Sequence, residues 1–180
     1  MHFGPDRKAG LRATDHLVTE GTADDGGAVR FAFRDAHRRS DLARVSALIE
    51  ACGLSTVGLF SPGSVYIVAV RDLSVVGVCG LEPDGDAGLL RSLAVDPSAR
   101  GVKLSWRLVE LIIARARLSG VRRLFTFSKD TGDLFIAMGW HDLPLQEVTP
   151  EIENTTQVIH YHKVGWYPDE RALCLDLNAT

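Results

Sequence analysis

Cysteine is scarce in this chain and never clustered. Cys52, Cys79 and Cys174 form no CxxC pair, so neither a disulfide frame nor a zinc knuckle is coded, and reduced thiols in a cytoplasm are expected. Nowhere do apolar residues run to the ~18 that a bilayer crossing needs, and the first residues show no signal-peptide core. Neither a P-loop nor a GxGxxG dinucleotide turn is present. Aromatic residues make up 7% of the chain, do not interleave with the basic ones, and accompany a net charge of −3. Neither nucleic acid nor a membrane is therefore an expected partner. His160 and His162 fall on one face of an expected strand without a third ligand at usable spacing, so no metal is expected. No segment repeats.

What remains reads as one globular domain with a substantial core. Residues 1–27 are polar and glycine-rich, a flexible lead-in to a single domain over 28–180. Val29 to Arg34 alternates strictly, as a strand with one wet face does. Ser40 is placed to cap a helix whose Leu42, Val45, Leu48, Ile49 and Cys52 share one side. Val65–Arg71 and Val75–Leu81 are β-branched runs joined by Asp72-Leu73-Ser74, a hairpin signal. Pro83-Asp84-Gly85-Asp86 makes the next tight turn. A strand at Leu124–Phe127, a short helix over Asp130–Met138, a strand over Trp140–Val148, a helix start at Thr149-Pro150 and a last strand over Ala172–Leu177 complete the order.

The chain is organised around Leu89 to Leu118. Leu89–Val95 is a compact, mostly buried strand, and Asp96-Pro97-Ser98 ends it. From Val102 the apolar residues Leu104, Leu108, Leu111 and Ile112 spread over a helical face, opposite a stripe of Lys103, Arg107, Glu110 and Arg117. A loop running into a helix aims unpaired backbone N–H groups outward, where they can hold a phosphate. From Arg100 to Lys129 eight cationic residues stand against Glu110 alone. Such a field draws in a polyanion, although solvated helix faces carry exposed Arg and Lys as well.

The segment LLRSLAVDPSARGVKLSWRLVELIIARARLSGVRRLFTF, followed by FIAMGW, resembles the central motif of the GNAT superfamily of N-acetyltransferases. Within it the likeness is to the branch of bacterial N-acetylglutamate synthase domains and arsenic-resistance N-acetyltransferases, and it covers about Arg30 to Val158. The resemblance implies a GNAT-like α/β (α+β) fold: a mixed, mostly antiparallel central sheet flanked by helices, with a central strand–loop–helix unit that binds CoA. It implies an acetyl-CoA-dependent acyltransferase acting on the amine of a small, amino-acid-like acceptor; a homodimer is one assembly left open, since the sequence does not fix the oligomeric state. The loop Arg100-Gly101-Val102-Lys103-Leu104-Ser105 would bind the pyrophosphate of acetyl-CoA. It departs from the usual Q/R-x-x-G-x-G/A, with Lys103 and Ser105 at the two glycine positions. A side chain at a close-approach glycine can obstruct the phosphate, and a lysine there can also add a cationic contact.

Acetyl transfer needs a holder for the carbonyl, a base for the ammonium and an exit for the thiolate. In the family, backbone N–H groups near Leu93, Ala94 and Val95 hold the carbonyl, and such donors are worth ~2.7–4 kcal/mol each. The acceptor amine has a pKa near ~10 and arrives protonated. Where many members carry a glutamate this chain has Leu89, which leaves Glu82 as the nearest carboxylate for a base, against the alternative of an ordinary turn carboxylate. The family's tyrosine falls at Phe135, with Tyr161 and Tyr167 as substitutes. Arg91 shares a face with Leu89. It can fork onto an acceptor carboxylate, or pair with Glu82 or Asp86. A non-catalytic relative that binds an acyl-CoA or a protein partner is the second reading, since folds outlive their chemistry.

Overall fold

The computed structural model describes residues 17–22, 28–37, 39–101, 103–165 and 170–178. Eight strands form one sheet: β1 (Leu17–Thr22), β2 (Ala28–Asp35), β3 (Val65–Arg71), β4 (Ser74–Asp84), β5 (Ala87–Val95), β6 (Arg123–Ser128), β7 (His141–Leu143) and β8 (Arg171–Asp176). Their order is β1-β2-β3-β4-β5-β6-β8-β7. Neighbours are antiparallel except β5 and β6, which run parallel. That one parallel pair needs a crossover, and the helix α2 (Leu104–Leu118) supplies it.

Helices cover both faces. On one, α2 buries Leu104, Leu108, Val109, Ile112 and Ala116 against Cys79, Leu81, Leu90 and Phe135, the last from α3 (Gly132–Ala137). On the other, α1 (Arg39–Ala51) sets Val45, Leu48 and Ile49 over Tyr66, Val68, Val78 and Ala94. Further along that second face, α4 (Leu145–Val148) and α5 (Thr156–Val164) bring Val148 and Val158 onto Leu89, Phe125 and Cys174. No helix among the described residues is long and apolar enough to cross a membrane.

Four sequence expectations are corrected. Leu17–Thr22, assigned to the lead-in, pairs residue for residue with β2; backbone pairing at a sheet edge does not require apolar alternation. Ser40 lies inside α1, whose first turn is anchored instead by Asp41, 1% exposed and gripped by Arg34 at 2.7 and 2.8 Å. The strand expected over Trp140–Val148 stops at Leu143, because Pro144 offers no ladder donor, and Leu145, Val148 and Ile152 then recur at helical spacing over the core. His160 and His162 consequently sit on α5, not on a strand, where positions two apart diverge around the helix.

Candidate active site

The organising strand and helix meet at a fork. β5 pairs with β6 only at Ala87↔Arg123, Gly88↔Leu124 and Leu89↔Phe125, although β5 continues to Val95 and β6 to Ser128. Past Leu89 the two strands part. The parting coincides with a bulge: Val78 pairs with Ala94 but Gly80 with Arg91, so two steps along β4 match three along β5. Ser92, with φ of 57°, takes up the extra residue. Leu93, Ala94 and Val95 follow the bulge, and the thiol of Cys52 donates to the Val95 carbonyl at 3.7 Å.

Next comes the mouth of α2. Asp96 accepts the Ser98 N–H at 2.8 Å and its hydroxyl at 2.6 Å, and the same two contacts from Ser98 hold its carboxyl below the usual range. Arg71 fastens the turn from the other side through Ser98. Gly101 has φ of 86°, and Lys103, the residue before α2, is left-handed at φ 55° with no side chain capping the helix. Arg100 and Lys103 are exposed, Leu104 roots the helix in the core and Ser105 is half-buried. Val102 lies outside the described residues. The first turn has no side-chain cap, so its amide N–H groups are open to an external acceptor. The positive field is narrower than the sequence suggests, because Arg107 pairs with Glu110, Arg115 with Asp35, and Arg123 with Glu151 and Asp176.

On the α5 side of the fork lies a buried polar cluster. The Arg91–Glu82 ion pair, one of the two alternatives for Arg91, is present at 3.0 Å with both side chains buried. Glu82 also accepts the Thr156 N–H at 2.6 Å, the Thr156 hydroxyl at 3.0 Å and the Ser61 hydroxyl at 3.3 Å. It thereby places a negative charge at the N-terminus of α5, where the helix dipole favours one. Arg91 donates through Nη1 to Thr156 Oγ1 at 3.0 Å, through Nη2 to the Val57 carbonyl at 2.5 Å and through Nε to Ser92 Oγ at 3.4 Å. Ser61 falls in Gly58–Gly63, a loop that the family resemblance sets near the acceptor pocket; Val57 and Thr156, on a loop and a helix start far along the chain from β4 and β5, carry no such signal in the sequence.

Phe135 is buried, 5.1 Å centroid to centroid from Trp140, and offers no proton. Tyr161 is buried, 6.2 Å centroid to centroid from Phe127 on the β6 side of the fork, and donates to Glu170 at 3.3 Å. Tyr167 lies outside the described residues. His141, Cys174 and Asp176 bring ligand-type atoms within 4.8 Å of one another. Arg123 already stands there, 3.6 Å from the thiol and 3.2 Å from the carboxylate, a cation where a metal would have to be. A cavity of about 200 Å³, lined by Asp86, Ala87, Arg123 and Glu151 among others, opens at the start of β5, the opposite end from Val95.

A mixed sheet that forks beside the mouth of its crossover helix is the architecture of a GNAT-like transferase. The chain belongs to the acetyltransferase (GNAT) family, whose model matches residues 27–135. It is similar to the N-acetylglutamate synthase of Neisseria gonorrhoeae, solved with coenzyme A and N-acetyl-glutamate. That match has a TM-score of 0.66 at 25% identity, over 83% of this chain and 35% of that one; the chain spans about a third of the synthase. It is also similar to the Mycobacterium tuberculosis protein Rv2747, solved with CoA and NLQ (TM-score 0.63, 21% identity, 80% of this chain and 98% of that one). A GNAT-family acetyltransferase from Staphylococcus aureus Mu50 shares the fold at 13% identity (TM-score 0.63, 82% of this chain and 100% of that one). No curated protein sequence matches the chain.

Proposed function

We propose that the chain is an N-acetyltransferase that moves an acetyl group from acetyl-CoA to the amine of a small, amino-acid-like acceptor. The observation that carries this reading is the fork. β5 leaves β6 after Leu89 and runs on, paired to β4 alone, to the uncapped mouth of α2, so a thioester can lie along its open edge while its diphosphate rests on helix amides. In this arrangement Arg100 to Ser105, Val102 included, receive the diphosphate, with Lys103 as a cationic flank. Backbone N–H groups among Leu93, Ala94 and Val95 hold the acetyl carbonyl.

The acceptor approaches from the other face. Its ammonium must lose a proton before nitrogen can attack, and Glu82 is the carboxylate proposed to take it, directly or through a water. Glu82 is fully engaged as it stands, so the step requires the segment bearing Val57 and Ser61 to lift. The same movement frees the Arg91 Nη2 group from the Val57 carbonyl, and an acceptor carboxylate can then take that place. The free thiols of Cys52, Cys79 and Cys174 suit work in a reducing cytoplasm.

A second reading has its own support. Leu89, Lys103, Ser105 and Phe135 all depart from frequent catalytic or cofactor positions, as they would in a non-catalytic relative that binds an acyl-CoA or a protein partner. Two measurements separate the readings. Acetyl-CoA should raise the melting temperature where a CoA-free control does not, and a panel of amino acids should release thiol from acetyl-CoA. Binding without thiol release for any acceptor leaves the non-catalytic reading; no binding removes both acyl-CoA readings.

A further inference from the structure

One buried polar atom on the acceptor face is poorly satisfied. Tyr66 is 3% exposed, and its hydroxyl makes no well-formed hydrogen bond among the described residues, with the Phe60 backbone and the Ser92 side chain as its nearest polar neighbours. Burying such a group without a good partner is costly, and phenylalanine would fill the same space without that cost. The backbone is nonetheless shaped around the ring. Gly80 lies opposite Tyr66 on β4, and a Cβ there would come within 2.5 Å of ring atom Cε1, 2.9 Å of Cδ1 and 3.1 Å of Cζ. Only glycine lets the ring lie flat across the strand.

The ring therefore crosses β4 toward β5, because Gly80 is in turn opposite Arg91. The Ser92 side chain and the Phe60 backbone lie near the phenol oxygen, and it feels the charges of Arg91 and Glu82. Ser92 is the bulge itself, the residue immediately before Leu93–Val95. Phe60 tilts against the ring at 4.7 Å between centroids.

We propose that the Tyr66 hydroxyl donates a hydrogen bond to the acetyl carbonyl oxygen of acetyl-CoA, as the side-chain member of the oxyanion hole beside the Leu93–Val95 amides. This rests on the acetyltransferase reading. When the acceptor nitrogen bonds to the carbonyl carbon, the π pair moves onto oxygen, and the amides and the phenol meet that charge. When the pair returns, the carbon–sulfur bond breaks, the sulfur leaves as CoA thiolate and the nitrogen's proton passes to base or solvent. Tyr66 keeps its own proton throughout. Burial raises its pKa while Arg91 opposes the rise, so the phenol remains a donor at neutral pH.

Tyr66→Phe removes only the oxygen, and its melting temperature should hold or rise. Acetyl-CoA carrying ¹³C at the carbonyl gives a readout that needs no acceptor. Bound to the wild-type protein, its carbonyl resonance should sit downfield of the free ligand; bound to Tyr66→Phe, it should move back toward the free position. With an acceptor in hand, kcat should fall by ~10²–10³ while the KM for acetyl-CoA stays unchanged. A carbonyl resonance identical in the two proteins, or an unchanged kcat, overturns the oxyanion role and leaves the ring as packing. Failure of the wild-type protein to bind acetyl-CoA at all overturns the acetyltransferase reading, and this assignment with it.

Discussion

Glu82 and Glu170 are two inward carboxylates in opposite circumstances. Glu82 is met by donors on both oxygens, and its value depends on Arg91 staying in place. Arg91→Ala leaves that carboxylate buried and unpaired, which should cost about 3–5 kcal/mol of stability, whereas Glu82→Gln with Arg91→Met should recover most of the loss in a urea titration. Glu82→Gln alone should keep acetyl-CoA binding and lose turnover by ~10²–10⁴ if Glu82 is the base; unchanged turnover removes it from that role. Glu170 is the contrary case. Its Oε2 atom has no partner among the described residues, and burial raises its pKa above the ordinary 4.5 against a smaller opposing bond from Tyr161. A carboxyl that resists ionising when folded has no cost where both states are protonated, and it lowers stability as pH climbs through 4.5. Glu170→Gln should therefore raise the melting temperature at neutral pH, and the gain should vanish below pH 4.5. An equal gain at both ends of that range would contradict the account.

At the scale of elements, the β3–β4 hairpin was legible because two β-branched runs and a short link are local properties of the chain, although Ser74, expected in the link, pairs with Arg71 and leaves a two-residue turn. The turn is an unusual choice of residues, with Asp72 and Leu73 both left-handed at φ of 48° and 67°, the shape for which Asn-Gly is preferred. Leu73 is also 86% exposed, so its side chain contributes little packing in return. A left-handed conformation costs a non-glycine residue about 1–2 kcal/mol, and Leu73→Gly should recover part of that, raising the melting temperature by about 2–4 °C in calorimetry. A fall would mean that the leucine is packed by something absent from this chain. The same locality explains which parts of the site could be foreseen. Arg100 to Ser105 follow one another between a strand and a helix, so their spacing speaks for them. Thr156 meets Arg91 across 65 positions and Glu82 across 74, and no periodicity links residues that far apart. The region after Trp140 misled because its apolar residues fit a strand until Pro144 breaks the ladder. β1 was hidden because Gly21 and its polar neighbours carry no stripe, and its pairing with β2 is a backbone matter that no pattern announces.

Across the whole molecule, the parallel seam between β5 and β6 is where the middle of the sheet opens. α2 and α3 lie on one side of it, α1, α4 and α5 on the other, so the fork joins two faces that the sheet otherwise keeps apart. A thioester entering beside α2 and an amine entering beside α5 can thus meet in the plane of the sheet, and neither has to displace a core helix. Backbone hydrogen exchange reads this arrangement directly, since amides without a strand partner open more readily than ladder amides. In the free protein, the β5 amides after Leu89 that face β6, and those of the Arg100–Ser105 loop, should exchange faster than those of β3 and β4, while β5 amides that face β4 stay in its ladder. Acetyl-CoA should slow exchange in these two segments together and leave β2 and β3 unchanged. Slowing at the loop alone would mean that the diphosphate is held while the thioester lies elsewhere; slowing spread evenly over the sheet would mean general stabilisation, and the fork would lose its claim to be the site.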